Sequence, residues 1–313
     1  MKFALSKDVS NAVKVFAALT VMLSHYSQYV VANGISNSII FKTISSQGGY
    51  LGVALFFFMS GYGLMESERK SHLTLKHFFK RRFLKIYLPV LLVSAVWIVL
   101  SHFVLANQEL NALMHVNSTS DIIYSIFIGF GDGVLWFVKA LFVLYAIFYL
   151  FSLIYQTNRT AAIVTLLALT LASTFLWAIY VAEFSSLSIP YFALGVMMSL
   201  YKEREVKAVA GALIALMCIG GGGFIFFNTA LAAHSAINAM ALCLLILALS
   251  VRQWQIRIPA VLGAISFDLY LVHNKVLMTL KTNMDVVPLV LFIGLTLVVT
   301  TLFYLLRTKV FKI

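Results

Sequence analysis

Two histidines, His25 and His273, sit in long apolar runs of this 313-residue chain. A neutral imidazole both donates and accepts a proton near neutral pH, so each can act as base, acid or nucleophile. His25 follows Lys14 by 11 residues. On an α-helix that spacing is close to three turns and puts both side chains on one face, about 16 Å apart along the axis. His273 closes the stretch Ile265-Ser-Phe-Asp-Leu-Tyr-Leu-Val-His273, where Asp268 and Tyr270 are neighbours able to orient it. A third apolar run opens Asp132-Gly-Val-Leu-Trp136-Phe137-Val-Lys139 and buries Lys139 two turns deep, while Trp136 and Phe137 suit an interfacial aromatic belt. Each residue also has a plain structural reading. Lys14 can snorkel to a headgroup, and His25 and His273 can be satisfied polar contacts between helices.

The elements that carry these residues follow from composition. Hydrophobic residues make up 62% of the chain and charged residues 11%, against roughly 45–50% and about 25% in soluble domains. Lipid is the solvent that accepts so much apolar surface. Candidate spans lie at about 10–31, 47–66, 86–106, 132–155, 160–181, 187–201, 208–227, 231–250, 259–280 and 286–306, most near the ~20 residues a transmembrane helix needs. The runs do not alternate as the strands of a β-barrel would. The expected fold is therefore all-α, a polytopic integral membrane protein of about ten transmembrane helices. Residues 1–313 read as a single membrane-embedded domain without an internal repeat. The first run carries Lys14 and His25 and no small-x-small cleavage site, so it reads as a retained span. Cys218 and Cys243 lie in apolar runs and read as small core residues. Counted from the start of their spans, His25 and His273 reach similar depth, which fits a shared polar cavity.

Charge orients the chain. With the amino terminus inside, the inner segments hold 18 of the 23 basic residues: Lys2, Lys7, the seven between Arg69 and Lys85, Arg159, the three in Lys202–Lys207, Arg252, Arg257, and the three in Arg307–Lys312. The outer segments hold Lys42 and Lys281, and Lys14, Lys139 and Lys275 fall within spans. This asymmetry predicts both termini in the cytoplasm, in an inner or plasma membrane. It also accounts for the net charge of +12 without nucleic acid. The stretch Arg69–Lys85 interleaves Phe78, Phe79, Phe83 and Leu84 with cations and reads as an amphipathic interfacial segment. Asp121–Phe130, in the longest outer connection, reads as a short re-entrant or interfacial helix. Gly220–Gly223 is expected to loosen the seventh span or let it pack closely.

In order along the chain, five motifs resemble those of the acyltransferase family 3 membrane proteins over nearly the whole length. Lys14 to His25 has the family's spacing of a basic residue, ten residues and a histidine in the first span. Gly52-Val53-Ala-Leu-Phe56-Phe57-Phe-Met-Ser60-Gly61-Tyr62 is similar to its Gly-Val-x-x-Phe-Phe-x-x-Ser-Gly-Phe stretch. Phe79-Lys-Arg81-Arg82-Phe-Leu-Lys85-Ile86-Tyr-Leu-Pro89 resembles its basic inner loop. Trp136-Phe137 matches an aromatic pair opening a later span, and Ser266 with Tyr270-Leu-Val-His273 matches a late Ser-x-x-x-Tyr-Leu-x-His. Lysine stands at 14 and 85 where the family usually has arginine, and Pro89 comes one residue late. Lysine keeps the charge and loses the bidentate fork.

The resemblance implies transfer of an acyl group, commonly acetyl, from cytoplasmic acyl-coenzyme A to a sugar hydroxyl at the outer face. Acetyl-CoA is then a donor substrate, with no metal. The partners are acyl-CoA, a glycan or lipid-linked sugar acceptor and the bilayer. Arg81, Arg82 and Lys85 are the expected donor-binding residues, since basic side chains bind phosphates. His25, with Lys14 and His273, is the expected catalytic set, His25 acting as base or acyl carrier. Ser60, Tyr62, Trp136, Lys139 and Tyr270 are expected on the substrate. A proton-coupled transporter is the competing class, since intramembrane Lys, His and Asp suit it too. A non-catalytic scaffold leaves the two histidines unexplained.

Overall fold

The computed structural model describes residues 5–70, 74–101, 105, 118, 120–122, 136–180, 186–201 and 259–310. The expected seventh and eighth spans, with Cys218, Cys243 and Gly220–Gly223, lie outside the described residues. So does most of the expected 121–130 helix, of which only a helical turn at 120–122 is described.

The first span is α1 (Lys7–Ala32), whose amino terminus is capped by Ser6, accepting from the Val9 N–H, with Asp8 in the positive first turn. After Gly34, which takes a positive φ of 67°, the chain turns back through α2 (Ile39–Thr43), a wide π-type turn at Ile44–Gly48, and α3 (Gly49–Lys70). These join into one apolar helix of 32 residues. The basic inner stretch forms α4 (Leu75–Phe78), a second π-type turn at Phe79–Leu84, and α5 (Lys85–Val99). Pro89 has no N–H to offer the Lys85 carbonyl, and the regular α-helix starts at that residue after the wider turn. There follow α6 (Trp136–Tyr155), α7 (Arg159–Tyr180), α8 (Pro190–Leu200), α9 (Ala260–Lys281) and α10 (Leu289–Leu305), the last ending in a π-type turn at Leu306–Val310.

Among the described residues, seven helices are long and apolar enough to cross a bilayer. The expected sixth span, 187–201, is shorter than read. Leu187–Ile189 form a turn and α8 has 11 residues, about 16 Å of helix against a hydrocarbon core of about 30 Å.

Helix α3 lies centrally, against α1, α8 and α6. Its contact with α8 depends on two glycines. A Cβ on Gly61 would fall onto the Phe192 carbonyl, and one on Gly195 onto the Phe58 carbonyl. Small residues let helix backbones approach this closely where lipid supplies no hydrophobic drive. Gly52 serves the α1 contact, where a Cβ would stand 2.6 Å from the Ala17 carbonyl oxygen.

Two of the most apolar helices lie at the outside of the bundle: α10 and α7 (mean hydropathy 2.5 and 2.1) are 22% buried, whereas α9 and α3 (1.2 and 1.3) are 61% and 67% buried. Helix α6, at 2.2, is apolar and still 56% buried, because it packs against α3 and α7. Val164, Phe175, Ile179, Val290 and Leu302 point outward, the arrangement lipid requires and water forbids. The polar residues thus gather inside the bundle. The starts of α1, α5, α7 and α9 and the ends of α3, α6, α8 and α10 share one end, termed here the basic end after its Lys and Arg.

Candidate active site

Helices α1 and α9 run side by side, with Asn11 beneath Gly263 near the basic end. Two turns or more further on, His25 Nδ1 and His273 Nε2 stand 2.9 Å apart, and the rings stack at 5.0 Å with planes 21° apart. The equal depth read from the sequence is thus a direct contact. The other nitrogen of His273, Nδ1, is 3.0 Å from the Leu269 carbonyl oxygen, four residues back on α9. A carbonyl only accepts, so Nδ1 of His273 carries the hydrogen. In the neutral pair its Nε2 then accepts from Nδ1–H of His25, and the lone pair of His25 lies on its Nε2. His273 is fully buried while His25 is half-buried, so His25 is the more accessible member of the pair.

The support around the pair holds α1 and α9 in register. The Tyr26 hydroxyl donates to the Val287 carbonyl (2.9 Å), and the Val287 N–H donates to the Tyr29 hydroxyl (3.0 Å). One residue of the α9–α10 connection is thereby clamped on both sides by the turn that follows His25. Trp97 of α5 donates to Thr279 of α9 at 3.2 Å.

Sequence reasoning placed Asp268 and Tyr270 as orienters of His273. Asp268 is fully buried and engaged elsewhere: Arg307 grips it with Nε to Oδ1 at 2.8 Å and Nη2 to Oδ2 at 2.7 Å. This fork fastens the end of α10 to α9. The orienting acceptor for His273 is instead a backbone carbonyl, invisible in a list of side chains. Tyr270 lies 5.8 Å from the His273 ring and meets Phe137 edge-on at 5.1 Å and Phe56 at 6.0 Å. It belongs to an aromatic wall beside the pair. Phe137 is itself 2% exposed, so it is a wall residue and not part of an interfacial belt. Trp136 is half-buried with its ring 6.3 Å from Phe57, and Lys139, a turn on, is half-buried too.

The remaining expected residues lie toward the basic end. Lys14 is half-buried and close enough to Arg82 and Lys7 to interact electrostatically. Arg82, in the π-type turn, donates to Ser67 at 3.3 Å and also acts on Tyr145. Ser60 is hydrogen-bonded to Tyr145. Tyr62 accepts from the Leu5 N–H at 3.4 Å and neighbours Glu66 and Arg69. Lys85 is exposed, so it does not join Arg82 in facing the bundle; the side chain of Arg81 lies outside the described residues. The site therefore has two parts, a histidine pair with an aromatic wall, and a Lys14–Arg82 cluster nearer the basic end. Tyr145, Ser67 and Arg307 were missed from the sequence. Arg307 had a signal, a cation at the end of a span whose neighbour buries an aspartate.

These features define a multi-pass helical membrane protein that buries an imidazole pair between two spans. A family model, the acyltransferase domain of acyltransferase family 3, matches residues 9–308. The chain belongs to that family and is a membrane acyltransferase. Comparison with curated proteins and with solved structures finds no match.

Proposed function

We propose that the protein moves an acetyl group from acetyl-coenzyme A, bound at a cytoplasmic basic end, to a hydroxyl of a cell-surface or lipid-linked glycan. The observation that carries the reading is the 2.9 Å His25–His273 pair with its proton order set by Leu269. Nε2 of His25 is the reactive nitrogen. It takes the proton of the acceptor hydroxyl as that oxygen attacks the thioester carbonyl, or it attacks the carbonyl itself and carries the acetyl group as an acyl-imidazole until the acceptor oxygen displaces it, the hydroxyl proton passing to the released Nε2 and from there to the thiolate. In both routes the carbon–sulfur bond breaks, the coenzyme A thiolate leaves, and His25 becomes cationic. His273 Nε2 then stabilises that cation by accepting a stronger hydrogen bond from Nδ1–H, and can take its proton.

The convergence of Lys14 and Arg82 supports a donor seat. Two cations brought together in a half-buried setting repel unless an anion joins them, and the phosphates of coenzyme A are such an anion. The Lys14–His25 face of α1 then lines the way from donor to reacting nitrogen. Lysine at 14 makes this contact a point charge and leaves the planar fork to Arg82.

The test is single-turnover acetyl transfer from labelled acetyl-coenzyme A by the full chain in nanodiscs. Wild type releases coenzyme A or gains label on the protein, and His25→Ala loses at least a hundredfold in rate, the scale of a positioned acid–base group. A His25→Ala protein that acylates near the wild-type rate overturns the assignment. Solute uptake into liposomes without any covalent product would favour a carrier.

A further inference from the structure

A polar cavity lies at the basic end, on the face of α3 opposite Ser67. It measures about 490 Å³ and is lined by Met65, Glu68 and Arg69 with Lys70 at the end of α3, by Tyr155 and Arg159 at the α6–α7 turn, and by Leu200 at the end of α8. Met65, Glu68 and Arg69 follow the i, i+3, i+4 rule and share one face of α3. Ser67, which takes Arg82, is off that face. The cavity is therefore distinct from the Lys14–Arg82 cluster.

Its chemistry selects an anion. Three cations face one carboxylate, the buried Glu68. Two of the cations are held in place. Arg69 Nη1 donates to the Ser199 carbonyl at 2.8 Å, while the Ser199 hydroxyl donates to Glu66 at 2.7 Å. The Arg159 guanidinium lies over the Tyr155 ring at 5.4 Å. The position selects which anion. The cavity sits where four helices begin or end, the level of headgroups for helices that cross a bilayer. Further from the basic end, the outer faces of the two helices that meet at the cavity carry exposed apolar side chains, Leu150 and Leu153 on α6 and Val164 on α7, between 41% and 60% exposed. A soluble phosphate uses the cations alone. A phospholipid uses both the cations and the apolar flank, and basic pockets between spans at the cytoplasmic side suit anionic headgroups.

We propose that this cavity binds the phosphate headgroup of an anionic phospholipid, whose acyl chains lie along the outer faces of α6 and α7. The site stands apart from the acyl-transfer reading and does not depend on it.

The experiment counts lipids retained by the purified full chain, by native mass spectrometry, from mixed micelles holding equal phosphatidylglycerol and phosphatidylcholine. The wild type retains phosphatidylglycerol in clear excess. Lys70→Gln with Arg159→Gln lowers that excess roughly thirtyfold, since each surface cation contributes about a kcal/mol toward anionic lipid. Both residues are exposed, and equal melting temperatures of variant and wild type certify the fold; if the pair unfolds the chain, Arg159→Gln alone is read and the excess falls several-fold. Equal retention of the two lipids, or an excess unchanged in the variants, overturns the proposal. Displacement of the lipid by coenzyme A also overturns it, because the cavity would then belong to the donor.

Discussion

At the scale of residues, the chemistry rests on which nitrogen carries which proton. Leu269 withdraws Nδ1 of His273 from use, and His273 Nε2 withdraws Nδ1 of His25. In the proposed mechanism the fourth nitrogen, Nε2 of the half-buried His25, is the one that reacts. This order makes a graded prediction at His273. Alanine there removes both the acceptor and the ring stacked on His25, and kcat falls by about two to four decades. Glutamine restores an oxygen that accepts from His25 Nδ1–H but cannot take its proton, so His273→Gln recovers about tenfold over alanine with little change in KM. Steady-state kinetics on the two variants decides it. An alanine variant within twofold of wild type means that His25 works without its partner. The positions of both histidines and their equal depth were legible from the sequence, because residue count along a helix converts directly into depth. Their pairing was not, because depth leaves the rotation of each helix about its axis undetermined.

At the scale of elements, close helix crossings hold that rotation. Gly61 and Gly195 face each other's backbones, where no side-chain motion can relieve an added methyl. Overpacking costs typically about 1–3 kcal/mol, and contacts with backbone carbonyls put these sites at the upper end. Gly195→Val and Gly61→Val are therefore expected to lower the melting temperature in detergent by several degrees, while Gly63→Ala, whose Cβ meets nothing within 4 Å, leaves it unchanged or raises it slightly. Equal effects at Gly61 and Gly63 would remove the close crossing as a source of stability. The motif containing Gly61 was visible in the sequence; its partner on α8 was not, since Gly195 lies 134 residues further along the chain. The basic stretch also divides in a way its alternating pattern did not foretell. Phe78 is buried while Leu75 and Phe79 are exposed, and the π-type turn brings Arg82 under the bundle while Lys85 stays outside.

At the scale of the whole molecule, the described residues have an apolar exterior, an apolar core that also encloses polar groups such as His273, Asp268 and Lys275, and cations gathered at one end. The excess of Lys and Arg predicts that this end is cytoplasmic. In a Cys218→Ser, Cys243→Ser background, a membrane-impermeant thiol reagent applied to intact cells should label Asn283→Cys, after α9, and should leave Asn158→Cys, between α6 and α7, unlabelled until the membrane is opened. The reverse pattern would put the donor cluster and the proposed lipid cavity on the outer side, out of reach of cytoplasmic acetyl-coenzyme A. The same apolar composition bears on the shorter α8. An apolar run of 15 residues at 187–201 is indistinguishable by composition from a short span, yet its helix is confined to Pro190–Leu200 beside α3.

The amino-acid sequence by itself determined the solvent, the helical class and the equal depth of the two histidines. Those follow from local quantities: hydropathy over a run of residues, backbone hydrogen bonding in lipid, and a fixed rise per residue. The tertiary structure alone decided which polar groups meet. It paired His25 with His273, gave Asp268 to Arg307 instead of to the histidine, moved Phe137 from the membrane surface into the aromatic wall, and split the basic loop so that Arg82 reaches Ser67 while Lys85 stays exposed. These outcomes depend on how far each helix is rotated and where it crosses its neighbours. Contacts between residues far apart in the chain set both, and no local pattern encodes them.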